Sequence, residues 1–243
     1  METRNHFLPN GAAPKSLMSR TKIQYDIMKN LLRLFVVVVV LSMATETFAQ
    51  TFGVRAGFNL SNMVAKDDDN TYSDDFKMKP GFQIGVTAEF PITDIFLFET
   101  GLILTTKGFK LSESEDGVDY EGTLSLMYFE IPITGKAVYE VGDLQIYGIF
   151  GPYIGFGLSG KSKYEAGGDS SDETINWGSD ANEDDFKRFD LGLIIGAGVE
   201  IQAFQVGISY GFGLINISPE SDGGYKDQNR VLAITVGYKI KGK

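Results

Sequence analysis

The chain contains no cysteine, one tryptophan and one histidine, and each shortage closes off a class of chemistry. Without cysteine there is no disulfide framework, no thiolate zinc site and no cysteine nucleophile. The histidine, His6, lies ahead of a segment read below as an export signal, so the exported part lacks the commonest general base and metal ligand. The uninterrupted apolar run at 34–41 is also too short to cross a membrane as a helix, which needs ~20 residues. Basic residues are scarce: 22 Lys and Arg stand against 32 Asp and Glu, and from Gln50 onward 16 stand against 29, a net charge of −13. Such a body has no reserve of positive charge for nucleic acid, whose binding relies on basic patches. What is present is a chain of 243 residues, 43% hydrophobic, long enough to bury one sizeable core in one main domain.

From Met28, the segment MKNLLRLFVVVVVLSMATETFAQ joins a basic start to a short apolar stretch and to the small residues Thr47 and Ala49. That order predicts a secretory signal over 28–49, cleaved before Gln50. A membrane anchor is the alternative, opposed by the shortness of the stretch and by Arg33 near its start. Residues 1–27 read as an extended or misassigned start with Met28 as the expected initiator, and 50–243 as the folded domain.

Within 50–243 no segment keeps a helical period, whereas alternation of period two recurs. In FGVRAGFNL, Phe52, Val54, Ala56, Phe58 and Leu60 share one face and Gly53, Arg55, Gly57 and Asn59 the other. In GFQIGVTAEF, Phe82, Ile84, Val86, Ala88 and Phe90 oppose Gln83, Gly85, Thr87 and Glu89. The pattern returns at 95–109, 123–137, 144–159, 189–201, 204–216 and 231–240, so eight strands are expected. Their connections are unequal. Short turns fall at 91–94, 139–143 and 202–203, and long acidic ones at 65–79, 110–122, 160–188 and 218–230. An even strand count with alternately short and long connections predicts a closed antiparallel transmembrane β-barrel, with short periplasmic turns and long external loops.

A soluble barrel with its large apolar residues inside is the competing architecture. The face opposite the apolar one carries Gly85, Gly101, Gly151, Gly155, Gly157, Gly192, Gly196, Gly198, Gly207, Gly211 and Gly213. Glycine makes a poor solvated strand surface but suits a narrow interior, so this face is expected inside and the aliphatic face against lipid. Arg55, Glu89, Glu99, Lys107, Glu130, Lys136, Asp190, Glu200 and Lys239 then also point inward, four basic and five acidic. Near-neutrality predicts internal ion pairs, with Arg55, Glu89, Glu99, Lys136, Glu200 and Lys239 forming a charged layer near the periplasmic end. A static plug is the expected role, and a gated solute or proton path the alternative.

The loops offer little chemistry. Asp67, Asp68 and Asp69 with Asp74 and Asp75, and Glu183, Asp184 and Asp185, could gather a divalent cation through oxygen. Neither has EF-hand spacing, and solvated acidic loops are the expectation. Trp177 is expected to anchor at lipid headgroups or to pack its loop rather than to stack on a ligand. Tyr128, Tyr147, Tyr153, Tyr210 and Tyr238 fit girdle or lumen positions.

Read in order, FGVRAGFNLSNM, YFEIPI, GPYIGFGLSGK, FDLGLIIGAGVEI, SYGFGLINIS and ITVGYKI, following a signal that ends FAQ, make this chain resemble the PorT-like outer-membrane β-barrel family over 50–243. The resemblance implies an outer-membrane barrel and a link to protein secretion for the name-giving type, and it carries over no catalytic residue. One departure is the ending: Ile240 is followed by Lys241, Gly242 and Lys243 rather than closing on an aromatic residue, with Tyr238 the expected substitute.

The expected function is therefore that of a non-enzymatic outer-membrane barrel presenting acidic external loops in an envelope structural, adhesion or assembly role. A secretion or solute-transport component with a narrow or gated lumen is the second reading. A membrane-embedded hydrolase or acyltransferase would need a carboxylate or serine scheme with no evident partner base. No catalytic, cofactor-binding or metal site and no cofactor is expected. Outer-membrane lipid is the expected partner, and envelope or secretion proteins are candidates.

Overall fold

In the computed structural model the structure describes residues 50–73, 76–115, 118–167 and 169–241. The expected start at 1–27 and signal at 28–49 lie outside the described residues, as do Asp74 and Asp75. The strands are β1 (Thr51–Lys66), β2 (Lys79–Pro91), β3 (Phe96–Glu115), β4 (Val118–Val141), β5 (Leu144–Ala166), β6 (Asp169–Thr174), β7 (Phe189–Ile201), β8 (Phe204–Gly213) and β9 (Lys226–Lys241).

Every strand pair is antiparallel, and all but β6 join a closed ring in the order β1, β2, β3, β4, β5, β7, β8, β9 and back to β1. The eight-stranded barrel expected from the alternation is the one found. Closure leaves no open sheet edge in the wall, so its backbone groups can pair between neighbouring strands, as a sheet must do to cross lipid. At one end the turns are tight. Gly142 and Gln202 both take positive φ, +63° and +57°, in the two-residue connections β4–β5 and β7–β8. After β2, the Thr93 hydroxyl accepts the N–H groups of Ile95 at 3.3 Å and Phe96 at 3.0 Å.

The opposite end departs from the expected long loops. The stretch 110–122 is largely a continuation of the β3–β4 ladder, with Lys110 paired to Thr123 and Glu115 to Val118. Within 160–188, β5 continues to Ala166 and β6 folds back on it from Lys161↔Thr174 to Ala166↔Asp169. β9 likewise begins at Lys226, inside the expected loop 218–230. The reason is physical: beyond the lipid the outward face of a strand meets water and no longer has to be apolar, so the alternation fades from the sequence while the hydrogen-bond ladder continues. A one-residue register shift between β4 and β5 at Met127/Tyr128 leaves Leu158 unpaired and puts both Gly157 and Gly160 inside.

The two faces of the wall are chemically distinct, as the sequence requires. From Tyr147 to Phe156, β5 carries Phe150, Ile154 and Phe156 outward and Tyr147, Ile149, Gly151, Tyr153 and Gly155 inward. The outward residues of β9 run Leu232, Ile234, Val236, Tyr238 and Ile240, so its lipid-crossing part is 232–240, the ~9–11 residues a tilted strand needs. Aromatic residues mark both borders: Phe90 with Phe98 and Phe204 with Tyr238 at the short-turn end, and the cross-strand row Phe129, Phe156, Phe189 toward the loops. Apolar residues pointing outward and exposed rule out the soluble-barrel alternative.

The interior is tight enough that glycine is a steric requirement. A Cβ on Gly192 would overlap the Phe212 carbonyl oxygen of β8 and the Tyr153 ring of β5. Neither can retreat, since Tyr153 is itself held by Asp190 and by Lys107. Gly192→Ala is therefore expected to destabilise the barrel by about 1–3 kcal/mol, the usual range for overpacking. Urea titration of the folded form in micelles measures it, and a midpoint equal to wild type would refute the steric reading.

Candidate functional site

The lumen contains all nine charged residues expected there, and each is ion-paired. The lower layer draws one charged residue from each of six strands. The Arg55 guanidinium of β1 meets Glu99 of β3 at 2.9 Å through both of its terminal nitrogens. Lys136 of β4 reaches Glu89 of β2 at 2.7 Å, Glu200 of β7 in a shorter contact, and Glu99 at 3.8 Å. Lys239 of β9 bridges the other oxygens of Glu89 and Glu200 at 2.7 and 2.5 Å. The Gln205 amide of β8 donates to both carboxylates at 3.1 and 2.6 Å. Three cations and three anions, nearly or wholly buried, thus form one neutral layer across the barrel.

A second layer sits above it. The Lys107 ammonium, 1% exposed, lies 2.9 Å from Glu130 and 3.0 Å from Asp190 and over the Tyr153 ring at 4.2 Å. Asp190 also accepts from Asn229 at 2.9 Å and Tyr153 at 3.2 Å. Between the layers is a cavity of about 40 Å³ bordered by Arg55, Glu99, Glu130, Thr134 and Tyr147. Tyr128, Tyr147 and Tyr153 are thereby lumen residues, while Tyr210 and Tyr238 face outward.

Above the charges lies a cluster of apolar side chains, many of them carried in by loops. Met63, Leu124, Leu126 and Tyr128 from the wall pack with Ile175 and Ile217, and Phe76, Phe109, Trp177, Phe186 and Ile215 complete the cluster. Trp177 stands edge-on to Tyr128 with ring centres 5.7 Å apart, and its ring occupies the space a side chain at Gly157 would need. Of its two expected roles, it packs its loop, with Arg188 5.6 Å above the ring.

The acidic loop residues are tied into their own turns. Asp67 accepts the N–H groups of Asp69 and Asn70 and, at 2.5 Å, the Tyr72 hydroxyl, and the Tyr72 bond holds its carboxyl below the ordinary value. Asp184 and Asp185 accept the backbone N–H groups of Asp180 and Asn176 at 2.9 and 2.8 Å. Among the described residues no cluster of three or more potential ligands is arranged to hold a metal.

One carboxylate behaves differently. Asp227 lies on the part of β9 outside the lipid-crossing stretch, points into the mouth and is 6% exposed. Burial pushes its carboxyl up to about 6 against a weaker opposing hydrogen bond from Tyr225. The Tyr225 hydroxyl rises to about 12, through burial first and the Asp227 charge second. Sequence reasoning missed both, because KDQNRV shows no apolar contrast from which to assign a face. Gln205 was legible, since it shares the inward phase of Gly207 and Gly211.

The outer membrane protein beta-barrel domain family matches at residues 48–218. No curated protein matches the sequence. Solved structures that resemble the chain include the attachment invasion locus protein Ail of Yersinia pestis, 16% identical, with a TM-score of 0.34, over 79% of this chain and 99% of that one. Neisserial surface protein A is 13% identical, with a TM-score of 0.40, over 78% and 97%. The outer membrane protein OprG of Pseudomonas aeruginosa is 14% identical, with a TM-score of 0.39, over 80% and 98%.

Proposed function

Since the chain belongs to the outer membrane protein beta-barrel domain family, we propose that it is a non-enzymatic outer-membrane barrel with a shut lumen, whose working surface is its acidic external loops. Its place is in envelope structure, adhesion or assembly, reached through a cleaved signal at 28–49. The observation that carries this reading is the complete pairing of the nine interior charges in two layers beneath an aromatic cap. A conducting path needs mobile water and displaceable charges, and small eight-stranded barrels are just filled by their side chains. In planar bilayers the folded barrel is expected to give no defined single-channel openings, and regular openings of uniform size would overturn the proposal.

The second reading, a secretion or transport component, draws support from the order of YFEIPI, GPYIGFGLSGK and FDLGLIIGAGVEI, which resembles PorT-like barrels. A pull-down from intact envelopes separates the two, because only that role requires secretion proteins to co-purify.

A further inference from the structure

The loop end of the barrel holds a cavity of about 400 Å³, within the range of small-molecule sites. One wall is apolar: Phe76 and Phe109 stack face to face with centroids 3.8 Å apart, beside Leu124, Ile175 and Phe186. Facing it is Asp227, whose Oδ1 is buried and has no hydrogen-bond partner. Its backbone, by contrast, is fully engaged. Asn216 Oδ1 accepts the N–H groups of Ser218 and Asp227, both at 2.9 Å, and the Asp227 carbonyl accepts from Ile217 at 3.0 Å. The Ser218 hydroxyl, also at the cavity, accepts from Glu220 N–H at 3.1 Å. The fold thus fixes the position of Asp227 at the cavity wall, beside Tyr225, and leaves its buried Oδ1 an acceptor without a hydrogen-bond partner.

The remaining charges around the cavity have one sign. Glu173 and Asp185 line it, and no lysine or arginine among the described lining residues does. A buried carboxylate with an unfilled acceptor site is costly in apolar surroundings, and a charged donor is the partner that offsets the cost most effectively. An anion would meet three carboxylates, and a neutral apolar molecule would leave Asp227 as it is.

We propose that this mouth cavity binds cationic amphiphiles, small primary or secondary amines on a compact apolar body, with the ammonium on Asp227 and the body against Phe76 and Phe109. The site lies above both ionic layers, so it stands whether or not the lumen conducts. Trp177, the chain's one tryptophan, packs 6.5 Å from the lining ring of Phe186 and supplies a native reporter.

The test titrates the folded full-length barrel in nonionic micelles with 2-phenylethylamine, 2-phenylethanol or 3-phenylpropanoate, following tryptophan emission. A saturable change with the amine is expected, at least tenfold weaker with the alcohol and absent with the carboxylate. Asp227→Asn, which keeps the size of the side chain, is expected to weaken the amine at least tenfold and to leave the alcohol unchanged. The proposal is overturned if the amine gives no saturable change, if the carboxylate matches it, or if the variant binds amine as wild type does. The three-ligand comparison on the unaltered protein stands even if the variant does not fold.

Discussion

Replacing Lys136 with methionine is expected to lower the stability of the folded barrel by about 3–5 kcal/mol, the range for breaking one partner out of a buried ion pair. The ammonium is fully buried and contacts Glu89, Glu99 and Glu200 from three other strands. Methionine restores much of the volume but leaves three buried carboxylates to share Arg55 and Lys239. The loss therefore comes from an unbalanced negative charge rather than from a missing contact. Lys136→Met combined with Glu200→Gln, which returns the layer to neutrality, is expected to recover more than half of it. Urea titration, read by the faster migration of the unboiled folded form, measures both. Lys163, paired with Glu165 but about half exposed, is the control, and its methionine variant should show no shift. A Lys136→Met midpoint equal to that control would show that the layer does not act as a coupled charge network.

A pH-dependent loss of stability is expected from Asp227. Its folded carboxyl titrates at about 6, raised chiefly by burial from an ordinary 3.8, so the folded state holds its proton more tightly than the unfolded one does. The sign follows directly: the favourable contribution is fully present below about pH 4 and is lost as pH rises through 6. Two pH units correspond to about 3 kcal/mol. Asp67 runs the other way, since its lowered carboxyl favours folding above its unfolded value and loses that contribution on acidification. Other carboxylates titrate in the same window, so the informative quantity is the wild-type stability minus that of Asp227→Asn at each pH. This difference should fall between pH 4 and pH 8, and a difference independent of pH would refute the burial of that charge.

The wall of the barrel was legible in the sequence because lipid and lumen impose opposite demands on alternate residues. Phe150, Ile154 and Phe156 could face only lipid, and Gly151, Gly155 and Gly157 only a crowded interior. The nine lumen charges followed from the same phase. Which charge meets which did not, because pairs such as Lys107 with Asp190 join strands β3 and β7 across the lumen, and alternation says nothing of distance across a barrel. The loop end was the least readable. The extended β3–β4 ladder, β6 and the inward phase of Asp227 lie beyond the lipid, where a strand needs no apolar face. The aromatic cap was hidden for a related reason: Phe76, Trp177 and Phe186 are isolated among polar residues, and only the folded loops bring them together.

The seam between β1 and β9 has a consequence for biogenesis. All sixteen residues of β1 pair with β9, from Thr51↔Lys241 to Lys66↔Lys226, joining positions 160 to 190 residues apart. Contacts so distant along the chain form slowly, because the entropy of closing the loop is lost before any pairing rewards it. Until β9 arrives, the hairpins already formed present two open edges, each a template for pairing with another chain. Until β1 and β9 meet, the barrel is therefore open to pairing with other copies of itself, and this seam is the most costly of its contacts to close.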